Sequence, residues 1–358
     1  MSEMEKISII IPAYKPDKKM IGTLQALAAA GFSDILIVDD GSGEQYAPIF
    51  AQAEQMEQVT LLRHTANRGK GAGLKTAMRF FLENRPDFLG AVTADADGQH
   101  TLTDIQAVAE KLAQTQNIVL GCRDFSEPSV PFRSRFGNRF TCGTFRLFFG
   151  MKIADTQTGL RGYPRGAMEG LLAVEGERFE YETQMFFYIS RKNLPLEQVK
   201  IQTVYIEENA SSHFRPIADS LRIYSLILKY LFSSVAASVI DALAFFLLKQ
   251  FPLFAIPMIP LTFPAAFLAR AISSLTNYLI NAKAVFKGDT SKKTLLRYYL
   301  LAVVQIGVSA GCVFAVEHLL QIRAAWLSTL IKLAVDTLLF FVSFRIQHKW
   351  VFNNEETF

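Results

Sequence analysis

The sequence predicts an α/β domain with a doubly wound sheet of nucleotide-binding type, an amphipathic helix, and an all-α domain of four membrane-spanning helices. Three observations carry this. Short apolar runs alternate with helical segments over the first part of the chain. Charged residues are dense up to about Arg222 and sparse after Tyr230. Four apolar stretches then follow, each long enough for a spanning helix of ~20 residues.

The strands are read from their apolar runs. Ile7–Ile11 reads as a buried strand, followed by Leu36–Val38, Ala91–Thr93 and Ile118–Leu120. Helical segments lie between them, around Met20–Ala30, Gly71–Leu82 and Thr103–Ala113. This alternation predicts a parallel sheet. Its ligands should bind beyond the carboxyl ends of the strands. The sheet domain is expected to cover residues 1–215, and a linker helix residues 216–230. In that helix Ile217, Leu221, Tyr224 and Leu228 share one face, opposite Arg222, Ser225 and Lys229. Such a helix beside a membrane segment suits the interface.

Residues 231–358 form the membrane domain, with spans at about 231–248, 261–280, 298–320 and 325–346. The second link carries Lys283, Lys287, Lys292, Lys293 and Arg297, and the tail carries Arg345, His348 and Lys349. The other two links are nearly uncharged. The positive-inside rule therefore places both chain ends and the middle link in the cytoplasm. No signal peptide is read ahead of Ile7, so the first domain is expected there too. A multi-pass protein of the inner or plasma membrane results. The second and fourth helices end in Asn281-Ala-Lys-Ala-Val-Phe286 and Gln347-His-Lys-Trp-Val-Phe352. This short match is consistent with two helical hairpins in one orientation.

The net charge is +4, from 37 basic and 33 acidic residues. From Leu226 onward there are 12 basic and 6 acidic residues, so the excess belongs to the apolar half. That points to anionic lipid. No basic run is read as interleaved with aromatics, so no nucleic acid is expected. Cys122, Cys142 and Cys312 lack metal-ligand spacing and are read as buried or idle thiols.

Chemistry is concentrated at the predicted strand ends. Asp95-Ala-Asp97-Gly-Gln99-His100 follows the third predicted strand. Two carboxylates one residue apart can both reach one hard cation, Mg²⁺ or Mn²⁺, which could bridge the two phosphates of a donor. Gln99 could add a carbonyl oxygen. Asp39-Asp40-Gly41 follows the second strand, where a carboxylate can accept from a base or ribose. Pro12-Ala13-Tyr14 ends the first strand, where an aromatic could pack on the base. Asn67-Arg68-Gly69-Lys70-Gly71 opens a helix, and its N-terminus and cations suit a phosphate. It lacks the P-loop spacing, so ATP hydrolysis is not implied.

Taken together, these residues resemble family 2 glycosyltransferases of the GT-A fold, and most closely those that act on polyprenyl phosphates. The resemblance covers roughly the first two-thirds of the chain, with several motifs in the family's order. It implies transfer of a hexose from a UDP- or GDP-linked donor to a polyprenyl (undecaprenyl-type) phosphate for cell-envelope glycan assembly. It makes Pro12, Tyr14, Asp39, Asp40, Lys70 and Asp95 contacts of the nucleotide sugar, and Asp95, Asp97 and Gln99 the metal set. Asp97, Asp155 and Arg123 become the catalytic residues, with Gly121-Cys-Arg123 matching the family's G-x-R. Arg123, Arg133 and Arg135 face phosphates, beside Asn138. Asp155-Thr-Gln157-Thr-Gly159-Leu-Arg161 resembles the family's D-T-Q-x-G-F-[KR], which places Gln157 and Arg161 near the acceptor. Glu182 stands where the family often has an acidic residue. Ser212-His213-Phe214-Arg215 resembles the segment before the interface helices, with Arg215 toward the acceptor phosphate. Lys15-Pro16-Asp17 departs from the family's Asn-Glu, which bears on base recognition. The second half resembles the GtrA-like four-helix proteins.

A polyprenyl phosphate is already ionised near neutral pH, its second pKa being about 6, so no strong general base is required. One displacement with inversion is expected. A processive polysaccharide synthase would carry Q-x-x-R-W, which is absent from the sequence. Two roles for the membrane domain stay open at this stage: flipping the lipid-linked sugar, or serving as an anchor and oligomerisation platform.

Overall fold

The computed structural model describes residues 4–127, 130–202, 216–250, 262–286, 288–321 and 325–352. The chain divides into two compact units, residues 1–220 and 221–357.

In the first unit the elements alternate: β1 (Ile7–Ala13), α1 (Lys19–Ala29), β2 (Ile35–Asp39), α2 (Ala47–Glu54), β3 (Val59–Arg63), α3 (Lys70–Asn84), β4 (Gly90–Thr93), α4 (Leu102–Thr115) and β5 (Ile118–Arg123). Then come α5 (Phe132–Thr144), β6 (Arg161–Pro164), α6 (Arg165–Leu172), α7 (Glu180–Lys192) and β7 (Leu196–Ile201). The strands order as β3-β2-β1-β4-β6-β5-β7. β1 and β2 are buried almost end to end, as strands covered on both faces must be. Ile9, Ile11, Leu24, Ile37, Val92 and Ile105 belong to the core they form with α1 and α4.

The sheet is mixed, which corrects the expectation of an all-parallel one. β6 runs antiparallel to both β4 and β5, between which it lies. Its sequence, Arg-Gly-Tyr-Pro, has neither an apolar run nor alternation to announce a strand. β3 and β7 also went unread. Both are edge strands with half-exposed side chains and therefore lack a continuous apolar run.

The registers of β1, β2 and β4 bring their carboxyl ends into line. Pro12 pairs with Val38 and Ala13 with Asp39, while Ile10 pairs with Thr93. The turn bearing Asp95 and Asp97 thus opens at the same edge as Asp39.

Among the described residues the second unit holds the helices α8 (Pro216–Gln250), α9 (Thr262–Ile280), α10 (Lys292–Leu319) and α11 (Ala325–Ile346). Among the described residues, Ile227–Leu248 and Lys292–Leu319 are long and apolar enough to cross a membrane. Large apolar side chains such as Phe232, Phe267, Val303 and Leu338 point outward, while Asn281, Gln347, Ser233 and Thr294 are buried. Of the linker helix, the backbone from Pro216 on is helical. Ser212 to Arg215, and the side chains that would define an amphipathic face before Ser225, lie outside the described residues.

The sequence match between the two exit segments has a structural counterpart. α9 and α11 each continue into a π-helical turn, Asn281–Val285 and Gln347–Val351. Asn281 Nδ2 donates to Gln347 Oε1 at 3.1 Å, and Phe286 stacks on Phe352 with centroids 5.2 Å apart. The flanking rings repeat the exchange. Tyr230 meets Phe344 at 5.0 Å as Tyr298 meets Tyr278 at 5.4 Å. Phe286 meets Phe344 at 5.4 Å as Phe352 meets Tyr278 at 5.8 Å. The two hairpins are thus related by a local two-fold axis through the Asn281–Gln347 pair.

Candidate active site

The sequence places Asp39 and Asp40 side by side at the end of β2, and the strand's alternation separates them. Asp40 is buried and fully engaged. It pairs with His64 Nδ1 at 2.7 Å and accepts from Asn67 Nδ2 at 3.0 Å. It also accepts from the backbone N–H groups of Arg68 and Gly69, at 2.9 and 2.7 Å. Next to it Gly41 has φ +66, and a Cβ there would overlap the Ala66–Asn67 backbone. Asp40 therefore holds the 64–69 loop against β2 and has no oxygen left for a nucleotide, a correction to its expected role. Asp39 is half-buried, with Oδ1 accepting from Ser42 N at 2.9 Å. Pro12 and Tyr14 stand at the neighbouring end of β1, both half-buried, with the Lys15 ammonium 5.1 Å from the Tyr14 ring centre. Asp17 accepts from Lys19 N at 2.7 Å in the turn that leads into α1.

After β4 the chain turns through Asp95-Ala96-Asp97-Gly98, and Gln99 N donates to Asp97 Oδ1 at 3.0 Å. Lys70, the first residue of α3, puts its ammonium 2.7 Å from Asp95 Oδ1 and 3.1 Å from Glu182 Oε2. His100 Nε2 lies 3.3 Å from the other oxygen of Asp95. Burial opposes the charge on Lys70, but the carboxylates of Asp95 and Glu182 outweigh it and hold the ammonium above its ordinary range. Burial likewise opposes ionisation of Asp95, which Lys70 and His100 outweigh, so its carboxyl lies below the usual range. Asp97 goes the other way. Burial first, and the negative charge of Asp95 second, push it up. The spacing of the sequence gave no sign that Lys70 and Glu182 would meet at Asp95.

The 155–161 motif packs directly on this turn. Thr93 Oγ1 donates to Gly159 O at 2.8 Å. A Cβ on Gly159 would overlap the Asp95 carboxylate, so only glycine lets the two segments close. Asp155 is fully buried and grips Arg123 in a fork, accepting from Nε at 2.7 Å and Nη2 at 3.2 Å. It also accepts from Gln157 N at 2.9 Å, leaving the Gln157 side chain exposed. Asp155 therefore orients Arg123 and is in no position to remove a proton. Arg161 is a second correction, because it is 1% exposed and cannot reach an acceptor. It donates to Thr158 O and Glu182 O, at 2.8 Å each, and lies over the Phe186 ring.

Helix α5 supports the motif from outside. Asn138 Nδ2 donates to Ala154 O at 2.7 Å, and Asn138 Oδ1 accepts from Thr156 N at 3.4 Å. Arg135 donates to Glu127 O and Val130 O at 3.0 and 3.3 Å, so its guanidinium braces the turn before the helix. The Arg133 side chain and Arg215 lie outside the described residues. Burial, with Asp155 second, pushes the Cys122 thiol up to about 12 and Cys142 up to about 11. Both stay protonated at neutral pH. Cys312 is a free thiol exposed in the second unit.

Among the described residues no group of three or more His, Cys, Asp or Glu forms a closed metal cage. Asp95 and Asp97 fit a different kind of site. Mg²⁺ is commonly held by one or two carboxylates plus the substrate's phosphates. The raised Asp97 carboxyl, next to a second carboxylate, is where added positive charge is favoured.

The sheet, with paired carboxylates and an arginine fork at the carboxyl ends of its strands, has an architecture suited to a nucleotide-bearing ligand. Residues 8–172 match the model for glycosyl transferase family 2, and residues 229–352 that for the GtrA/DPMS transmembrane domain. The chain thus joins a glycosyl transferase family 2 domain to a GtrA/DPMS transmembrane domain. An uncharacterized protein of Methanocaldococcus jannaschii is 29% identical over 233 residues, 64% of this chain and 93% of its own. The UDP-N-acetylglucosamine–dolichyl-phosphate N-acetylglucosaminyltransferase of Methanococcus voltae is 28% identical, covering 56% of this chain and 86% of its own. The undecaprenyl-phosphate 4-deoxy-4-formamido-L-arabinose transferase of Pseudomonas paraeruginosa is 26% identical over 48% of this chain and 50% of its own. The match thus spans about half of that last relative.

Proposed function

We propose that the enzyme transfers a hexose from a UDP- or GDP-linked donor to a polyprenyl phosphate at the cytoplasmic face of the membrane, with inversion and with Mg²⁺ or Mn²⁺. The observation that carries this reading is the pairing of the Asp95–Asp97 turn with the Asp155-held Arg123, in one chain with a GtrA/DPMS-type domain. An acceptor phosphate oxygen attacks the anomeric carbon. The bond from that carbon to the diphosphate breaks, and the nucleoside diphosphate carries the electron pair away. No proton has to be removed, consistent with a site whose most buried carboxylate, Asp155, is committed to an arginine. In this reading Arg123 neutralises charge developing on phosphate oxygens. Asp95 and Asp97, with Gln99 in the same turn, would hold the cation, which when bound supplies charge neutralisation for the leaving diphosphate.

The distribution of Lys and Arg supports cytoplasmic termini. For the membrane domain we favour an anchor over a flippase, because its buried amides satisfy one another. Asn281, Gln347, Ser233, Tyr230 and Ser343 form one hydrogen-bonded cluster. The test is a screen of nucleotide sugars against undecaprenyl phosphate with the full chain in vesicles. A lipid-phosphate-linked hexose of inverted anomeric configuration is expected. Hydrolysis alone, or transfer only to a soluble acceptor, would overturn the reading.

A further inference from the structure

Lys15 has no role in the chemistry above, yet its backbone is unusual. Its φ is +53, a left-handed conformation that residues other than glycine rarely adopt. Pro16 follows and restricts the residue before it further. Such strain persists only where neighbours enforce it, and it gathers at sites that grip ligands. The enforcing contacts are on either side of Ser42. Lys15 N donates to Ser42 Oγ at 2.9 Å, and Ser42 N donates to Asp39 Oδ1 at 2.9 Å. Buried Ser42 thus ties the end of β1 to the end of β2.

That conformation decides where the side chain goes. In an extended strand Tyr14 and Lys15 would point to opposite faces. The left-handed turn instead brings the Lys15 ammonium over the Tyr14 ring, 5.1 Å from its centre. Lys70 is held by Asp95 and Glu182, whereas among the described residues no carboxylate pairs with exposed Lys15. The Tyr14 ring is the surface on which a donor's base would pack, so the ammonium stands at the edge of that base. An ammonium donates hydrogen bonds and cannot accept them. It suits the keto oxygen of uracil or guanine and opposes the amino group that cytosine or adenine carries instead. Pro16 has no hydrogen-bonding side chain, and Asp17 is engaged by Lys19 through both its backbone N–H and its ammonium. Neither offers the acceptor that an amino base needs.

We propose that Lys15 selects the donor by the keto oxygen of its base, with Ser42 as the positioning residue that holds Lys15 in its left-handed conformation. This selection rests on the nucleotide-sugar donor proposed above and adds the group by which its base is read. Uracil and guanine share the keto oxygen, so either base can supply it.

The test is calorimetric titration of the full chain in nanodiscs with UDP, CDP, GDP and ADP at saturating Mn²⁺. UDP against CDP, and GDP against ADP, isolate the exchange of keto for amino, and the two pairs distinguish uracil from guanine. UDP or GDP should bind about tenfold more tightly than its amino counterpart, the low end for a hydrogen bond to a charged group. Lys15→Met should remove most of that ratio, and Lys15→Glu should invert it, because a carboxylate accepts from an amino group. The ratio is blind to a general loss of positive charge, which weakens all four nucleotides alike. A ratio that survives Lys15→Met, or an equal loss for all four, would overturn the proposal and leave the donor reading standing. Binding of none of the four would overturn the donor reading and this selection with it.

Discussion

Each unit buries a polar cluster, and the two are built from different materials. In the catalytic unit the cluster is ionic: the Lys70 ammonium bridges Asp95 and Glu182, and Arg161 continues the alternation of sign. In the membrane unit it is neutral. Ser233 donates to Asn281 at 2.6 Å, Asn281 to Gln347 at 3.1 Å and Gln347 to Tyr230 at 3.1 Å. The difference follows from the surroundings and the task. Asp95 is 31% exposed, so water and an incoming diphosphate can reach its charges. A bilayer offers no such solvation, and neutral donors and acceptors that close on themselves cost less there. Charge is therefore kept where it must be exchanged with a ligand, and amides are used where a contact only has to persist.

Breaking the ionic cluster at its cation face should have the largest effect. Asp97→Asn keeps shape and removes one negative charge. Turnover should fall by about 10²–10³-fold, with the thermal midpoint unchanged. Steady-state transfer at saturating Mn²⁺ checks this, and full activity would remove Asp97 from the metal role.

The arginine fork comes next. Arg123→Ala should lower kcat by about 10²-fold with a smaller change in donor binding. Asp155→Asn should follow it in direction, because Arg123 loses its charged holder while keeping its own charge. If the asparagine variant loses donor affinity and keeps kcat, Asp155 does not act through Arg123.

Lys70→Met sharpens the comparison by asking whether the ammonium is exchanged. Removing it leaves Asp95 and Glu182 without their counterion, so Mn²⁺ should bind the donor-free protein about tenfold more tightly, or ~1.4 kcal/mol. Titration followed by electron paramagnetic resonance reads this without activity. Weaker Mn²⁺ binding would make Lys70 a support for the metal site rather than an internal substitute for the cation.

The neutral cluster should respond in stability and not in chemistry. Asn281→Leu leaves partners on Ser233 and Gln347 unmatched, at a cost of about 1–3 kcal/mol. Chemical denaturation of the full chain in detergent measures it, with transfer to undecaprenyl phosphate below the transition expected to persist.

The smallest effect belongs to the membrane unit's own ion pair. Asp241 Oδ2 lies 3.5 Å from Arg270 Nη2 and accepts from Ser273 Oγ at 2.9 Å through its other oxygen. Polar side-chain contacts between neighbouring membrane helices average about 0.6 kcal/mol, so the pair should count for ~1 kcal/mol or less. Asp241→Arg should impair assembly, and adding Arg270→Asp should restore part of it. A double variant no better than the worse single one would dismiss the pairing.

These particulars show what sequence can carry. β1, β2, β4 and β5 were legible because strands covered on both faces need continuous apolar runs. β6 was not, since four residues squeezed between two neighbours need no such signature. The motif order located Asp97, Asp155 and Arg123. It did not say that Asp155 would be spent on Arg123, because partners 32 residues apart leave no trace in spacing. Lys70 read as a phosphate ligand from its place at a helix start, whereas its partners Asp95 and Glu182 come from β4's end and α7. Arg161 lies in a short strand that gave no burial signal, so its inward turn could not be foreseen.

The contact across the local two-fold has a topological consequence. Asn281 meets its counterpart Gln347, and Phe286 meets Phe352, so each hairpin presents to the other nearly the surface it receives. Such a surface does not distinguish a neighbour in its own chain from the same hairpin of another molecule. Two chains could trade second hairpins and keep every one of these contacts, because the exchange alters connectivity and leaves the packing as it was.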